Sequence, residues 1–170
     1  MPDETPIASF TTTSQKETQR LGYLLGELLE GGEVIGLIGD LGAGKTCFVK
    51  GLAMGLDISQ EEITSPTFTL IHEHTGRQNL AHVDLFRLEK IEAIEALGLV
   101  DYFVEDWVTV IEWGERALPF LPSEKMLIRF LIPSSEERTL RVEPMGETYL
   151  RLTGRWVGKD QETLKKESDA

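Results

Sequence analysis

Apolar positions along the chain follow two periods, and the period changes where the elements change. Leu21, Leu24, Leu25, Leu28 and Leu29 recur at helical spacing, the stripe of an amphipathic helix. Ser14-Gln15-Lys16-Glu17 precedes them and reads as a capping box, a hydroxyl followed three residues on by a carboxylate. Gly31 is placed to end that helix. Glu33–Gly39, EVIGLIG, is a short apolar, β-branched run that predicts a buried strand. Phe48, Leu52 and Leu56 then share a helical face over Lys45–Leu56. Thr67–His74 and Asn79–Arg87 read as strands joined by a turn at Thr75–Gln78, a hairpin. Leu88–Leu99 predicts an amphipathic helix, Trp107–Trp113 a buried strand ending in an acid, and Leu118–Pro122 a linker. Met126–Ile132 and Glu137–Pro144 predict a terminal hairpin. Residues 158–170 are polar throughout and predict a disordered tail behind a single domain, 1–157.

A parallel pair of strands needs a crossover, whereas hairpins make antiparallel pairs. Both signals are present, so the expected fold is α/β: a P-loop NTPase-like three-layer domain with a mixed parallel/antiparallel sheet flanked by helices. The loop between the first predicted strand and its helix carries the chemistry. Gly39-Asp-Leu-Gly-Ala-Gly-Lys-Thr46 matches G-x-x-x-x-G-K-[ST]. Gly39, Gly42 and Gly44 let the backbone wrap an anion, with Leu41 and Ala43 between them in the same loop. The wrapped N–H groups form a nest, and the helix N-terminus adds to it. Lys45 supplies charge for the β- and γ-phosphates of a nucleotide, and the Thr46 hydroxyl is a Mg²⁺ ligand.

Composition narrows the partners. Seventeen Lys and Arg face 29 Asp and Glu, a net charge of −12. So acidic a chain is poorly suited to gripping nucleic acid itself, and any nucleic acid would be reached through a partner. Cys47 is the single cysteine, which excludes an internal disulfide and fits a reducing compartment. The acidic N-terminus has no apolar core of a secretory signal, and no stretch approaches a membrane span. A cytoplasmic protein with no membrane partner is expected.

A nucleotide hydrolase needs a carboxylate beside Mg²⁺ and a group to orient water. Glu112 directly follows Val108, Val110 and Ile111, whereas Asp84 follows a weaker apolar stretch. Strand context therefore favours Glu112, and Asp84 also reads as an ordinary strand-surface acid. Ser65 and Thr67 flank Pro66, either as a switch segment sensing the γ-phosphate or as a turn into a strand; the residues alone favour the turn. His72, His74 and His82 lack the companions that would complete a metal site and read as solvated strand histidines. Trp113, beside Glu112, stacks on a base or fills the core with equal ease. N-K-x-D and D-x-x-G are absent, which argues against a GTPase. The scattered arginines form no lid, yet a small-molecule kinase stays open as the alternative.

Taken in order, GDLGAGKT, SPTFTL (Ser65–Leu70), HVDLFRL (His82–Leu88), Leu97-Gly98 and IEW (Ile111–Trp113) resemble the TsaE (YjeE) family over about Ser14 to Trp113. The resemblance implies a small bacterial P-loop ATPase using ATP and Mg²⁺. It would serve the TsaB–TsaD complex, which makes threonylcarbamoyladenosine in tRNA. By the same resemblance Lys45 and Thr46 are the phosphate lysine and the Mg²⁺ threonine. Glu112 is implied as the second Mg²⁺ ligand, Asp84 as the acid needed for hydrolysis, and Trp113 as an active-site tryptophan. Ser65 and Thr67 fall on the family's switch-like segment, reversing the preference from the residues alone. Ser14 and Gln15 fall on the side bordering the adenine. Phe86 stands where the family has Tyr, and Cys47 where a second Thr is common.

Overall fold

The computed structural model describes residues 8–64 and 70–170. The predicted switch positions Ser65 and Thr67 lie outside them, as do the first residues of the strand expected from Thr67.

The capping box forms with a shift of one residue. The Ser14 hydroxyl accepts from the Glu17 N–H at 3.1 Å, while the Glu17 carboxylate reaches back to the Thr13 N–H at 2.6 Å. Helix α1 runs Gln15–Leu28 and buries its leucine stripe. Strand β2, Val34–Ile38, feeds the P-loop, and α2, Lys45–Gly55, leaves it. The hairpin β3 (Ile71–His74) and β4 (Asn79–Asp84) follows, then the short helix α3 (Ile91–Glu95) and β5 (Trp107–Glu112). The predicted terminal hairpin is β6 (Lys125–Leu131) and β7 (Arg138–Met145), and α4 (Glu147–Ser168) ends the chain. One further strand, β1 (Ala8–Thr12), precedes α1.

Among the described residues these strands form a seven-stranded sheet in the order β1-β7-β6-β2-β5-β4-β3. Its centre is parallel, with β2 between β5 and β6 and β4 beside β5. Its edges are antiparallel hairpin pairs, β1–β7–β6 and β3–β4. The mixed sheet is the expected one. One face carries α1, α2 and α4 over a large core in which Phe48, Phe130, Phe10 and Trp156 meet ring to ring. The other face is covered by a smaller cluster around Val83, Leu85, Ile94 and Ile111.

Two contacts fix α2, and so the P-loop. Helices α1 and α2 touch backbone to backbone: a Cβ on Gly26 would lie 2.2 Å from the Leu52 carbonyl oxygen, and one on Gly51 would lie 1.8 Å from that of Gln19. Arg77, in the β3–β4 turn, donates to the Gly26, Leu29 and Gly55 carbonyls. One guanidinium thus satisfies carbonyls that both helix ends leave open.

Three expectations change. The helix predicted over Leu88–Leu99 shrinks to α3, because Gly98 turns left-handed (φ 69°) and a 3-10 helix, Leu99–Tyr102, takes over. The linker at Leu118–Pro122 is largely the end of another 3-10 helix, Gly114–Phe120. The tail 158–170 is not disordered: α4 carries it to Ser168. Trp156 anchors that helix, its Nε1–H donating to the Leu21 carbonyl at 3.0 Å. Beyond it Asp160 pairs with Arg20 (3.1 Å) and Lys159 with Glu27 (3.3 Å). A helix already nucleated by packing propagates through polar residues at little cost.

Candidate functional site

Parallel strands β2, β5 and β4 end side by side, and their termini deliver the site. In the sheet register Asp84 lies opposite Glu112, one strand apart, so the two predicted acids stand next to each other at the mouth of the P-loop. Both are buried. The loop turns into α2 through Gly44, whose φ of 103° an L side chain rarely adopts.

Lys45 is buried, and its ammonium donates to the Gly39 carbonyl and, at 3.2 Å, to that of Asp40. It also lies 4.2 Å from the centre of the Trp113 ring, a cation–π contact. Burial pushes this ammonium below its ordinary 10.5, while Glu112, Glu115, Asp84 and Asp40 pull it back up. The charge thus sits among acids in a partly dehydrated place, where an added phosphate would meet a strong field.

Thr46 and Glu112 act as a unit: the threonine hydroxyl donates to Glu112 Oε1 at 2.9 Å. Two hard oxygen donors this close, next to an anion nest, fit a divalent magnesium ion, which takes one or two protein oxygens and completes its shell with phosphate and water. Asp84 accepts from the Phe86 N–H at 2.9 Å, which holds the turn after β4 in shape. Trp113 has φ 61°, left-handed in a bulky residue and therefore strained. That turn carries its indole off the strand end, where Phe86 packs at 5.3 Å and the Arg116 guanidinium at 4.9 Å.

A cavity of about 320 Å³ is lined by Leu41, Ala43, Lys45, Thr46, Asp84, Glu112 and Trp113. A second, about 260 Å³, opens on the α1 side between Thr13, Ser14, Thr18, Ser135 and Arg138. Gln15, Gly42, Gly44 and Cys47 line both. Two adjoining compartments astride a P-loop suit a ligand with a polyphosphate at one end and a flat group at the other. Gly39 lies at the loop's start, where Lys45 bonds it. Every predicted binding residue among those described therefore lies in or beside this one site.

Sequence reasoning missed two contributors. His82 is not a solvated strand histidine: it is fully buried, and its Nε2 lies 2.6 Å from Glu112 Oε2. The signal was there, since period 2 puts His82 on the same strand face as Asp84. Arg116 donates to the Leu85 and Phe86 carbonyls at 2.8 and 2.6 Å, tying the segment after Asp84 to the one after Glu112. No local pattern marks it.

Comparisons with known proteins agree with this fold. The model of the family described as "Threonylcarbamoyl adenosine biosynthesis protein TsaE" matches residues 12–140. The chain is 46% identical over 129 residues to the tRNA threonylcarbamoyladenosine biosynthesis protein TsaE of Treponema pallidum, covering 76% of this chain and 95% of that one. It is 37% identical over 142 residues to the protein of the same name from Bacillus subtilis, covering 83% and 88%. The crystal structure of Bacillus subtilis YdiB superposes with a TM-score of 0.77 at 32% identity, covering 90% of this chain and 95% of that chain. The fold and the sequence thus agree, and the chain belongs to the TsaE family.

Proposed function

We propose that this chain is a magnesium-dependent ATP hydrolase that supports threonylcarbamoyladenosine formation in tRNA by acting on the TsaB–TsaD complex in the cytoplasm. The observation that carries the reading is the trio of Lys45, Thr46 and Glu112 converging on the P-loop with Asp84 one strand away. The names of the relatives support the pathway. The net charge of −12 suits a protein that reaches tRNA only through partners.

Each residue has a role in the reaction. The P-loop N–H groups and Lys45 bind the β- and γ-phosphates and balance the charge that grows on the bridging oxygen as it leaves. Thr46 and Glu112 would hold magnesium, which when bound would neutralise phosphate charge. Asp84 orients the water whose oxygen bonds to the γ-phosphorus as the β–γ bridge breaks, and it accepts a proton from that water. Trp113 walls the phosphate compartment and holds the Lys45 ammonium over its ring. Gln15, at the head of α1, borders the compartment suited to the base.

Phosphate release from ATP, measured with and without TsaB–TsaD and beside a screen for phosphorylated small molecules, tests the proposal. Release that depends on Mg²⁺ and responds to the partners is expected. A phosphorylated acceptor in place of free phosphate would make the protein a small-molecule kinase instead.

A further inference from the structure

We propose that His82 is a positioning residue that holds the Glu112 carboxylate in the attitude needed for magnesium, a role that rests on the magnesium-ATP reading above. The two oxygens of Glu112 have separate partners: Oε1 accepts from Thr46 at 2.9 Å, and Oε2 meets His82 Nε2 at 2.6 Å. An ionised carboxylate only accepts, so Nε2 carries the hydrogen. The terminal torsion of a glutamate is broad and roughly two-fold. Anchored at one oxygen the group would swing; anchored at both it is fixed, and Oε1 stays on the side of Thr46 and the phosphates.

Placement supports the assignment. His82 lies in mid-strand β4, opposite Val110 in the register, with Asp84 two residues on and opposite Glu112. Strand alternation brings His82, Asp84 and Glu112 to one sheet face, the face that α2 covers. A buried histidine could simply take whichever acceptor lies nearest. Against that, its Nδ1 has no hydrogen-bonding partner among the described residues. Among the described residues Glu112 is the hydrogen-bonding partner that orients the imidazole, and an apolar side chain would fill the position without leaving a bare buried nitrogen. Partners of this kind, one bond behind a metal ligand, typically change metal affinity by about 10–100-fold when removed.

The test uses the whole chain with a non-hydrolysable ATP analogue and Mn²⁺ in place of Mg²⁺, with free Mn²⁺ read by electron paramagnetic resonance. His82→Leu removes the donor. His82→Gln returns an N–H at the reach of Nε2, whereas the shorter amide of His82→Asn stops near the position of Nδ1. The expected result is Mn²⁺ affinity in the nucleotide complex weakened roughly tenfold or more by Leu and Asn and largely restored by Gln, with analogue affinity in excess chelator unchanged in all three. Should His82→Leu fail to fold, the Gln–Asn comparison decides by itself. Equal Mn²⁺ affinity in every variant, or an equal loss in Gln and Asn, overturns the proposal. Wild-type protein that takes up neither analogue nor Mn²⁺ overturns the magnesium-ATP reading, and the role of His82 with it.

Discussion

Lys45 shows how much a single side chain can decide at the residue scale. Its ammonium is buried among carbonyls, acids and an indole, so it is already directed to where phosphate charge would arrive. Removing it deletes a charge-assisted contact of about 1.5–3 kcal/mol. We predict that Lys45→Ala weakens ATP binding roughly 10- to 150-fold by calorimetric titration; unchanged affinity would contradict the site. The acids should separate. Glu112→Gln is expected to raise the Mg²⁺ concentration needed for turnover, and Asp84→Asn to bind Mg-ATP but hydrolyse it poorly; normal turnover by Asp84→Asn would remove it from the mechanism. Cys47 offers a third readout. Its thiol borders both compartments and donates to the Gln15 carbonyl at 3.1 Å. Burial pushes it above its ordinary 9.0, with Lys50 and a backbone bond at Gln19 pulling the other way. The thiolate is the reactive form. Alkylation by iodoacetamide should therefore be slow at pH 8, climb through a midpoint above 9.0, and slow further when nucleotide fills the cavity. A rate at pH 8 matching that of a free thiol would contradict this.

Elements differ in how much of themselves the sequence discloses. The strand–loop–helix at the P-loop, the β3–β4 hairpin and the β6–β7 hairpin were legible because their signals are local: an apolar run, a glycine pattern, a turn between two strands. Strand β1 was not, since only Phe10 and Thr12 are buried in it and its pairing with β7 is a long-range fact. The end of α4 was misread because its order comes from Trp156 and from Arg20 and Glu27 on another helix. At the site, the P-loop and both acids were legible from motif and strand ends, whereas Arg116 has meaning only once two strand ends adjoin. The contact between α1 and α2 gives a paired prediction at this scale. In Gly51→Ala the new Cβ would stand 1.8 Å from the Gln19 carbonyl oxygen, and backbone cannot step aside as a flexible side chain would. A cost of about 1–3 kcal/mol or more is expected, read as a Tm lower by roughly 2–4 °C per kcal/mol at this chain length. Gly154→Ala, on an α4 face with nothing within 4 Å, should instead raise Tm, because alanine is the better helix former by about 0.5–1 kcal/mol. Equal effects from the two substitutions would show that helix propensity, not close approach, governs both.

At the scale of the whole molecule, the proposed nucleotide site sits on an acidic body. Arginine supplied in trans accelerates related hydrolases by roughly 10³–10⁵-fold. Here Arg116 is engaged with the Leu85 and Phe86 carbonyls in bracing the segment after Asp84. Arg87, exposed beside that segment, is the internal candidate to test against a partner's arginine. Slow hydrolysis by the isolated chain, raised by TsaB–TsaD, is the behaviour this arrangement predicts. Charge makes the prediction sharper. At −12, the protein would be steered to a basic partner surface, and steering between exposed charges fades as the Debye length shrinks to about 8 Å at physiological salt and 3 Å at 1 M. Stimulation at subsaturating partner should therefore fall as salt rises, whereas basal turnover, set by the cluster of Thr46 with the buried Lys45 and Glu112, should change far less. ATP turnover measured against partner concentration at low and high salt separates the two effects. If Arg87→Ala lowers basal and stimulated turnover by the same factor, the catalytic arginine belongs to this chain. If Arg87→Ala leaves both untouched, it comes from the partner. Fast turnover by the chain alone, indifferent to TsaB–TsaD at any salt, would contradict the proposed role and return the small-molecule kinase to first place.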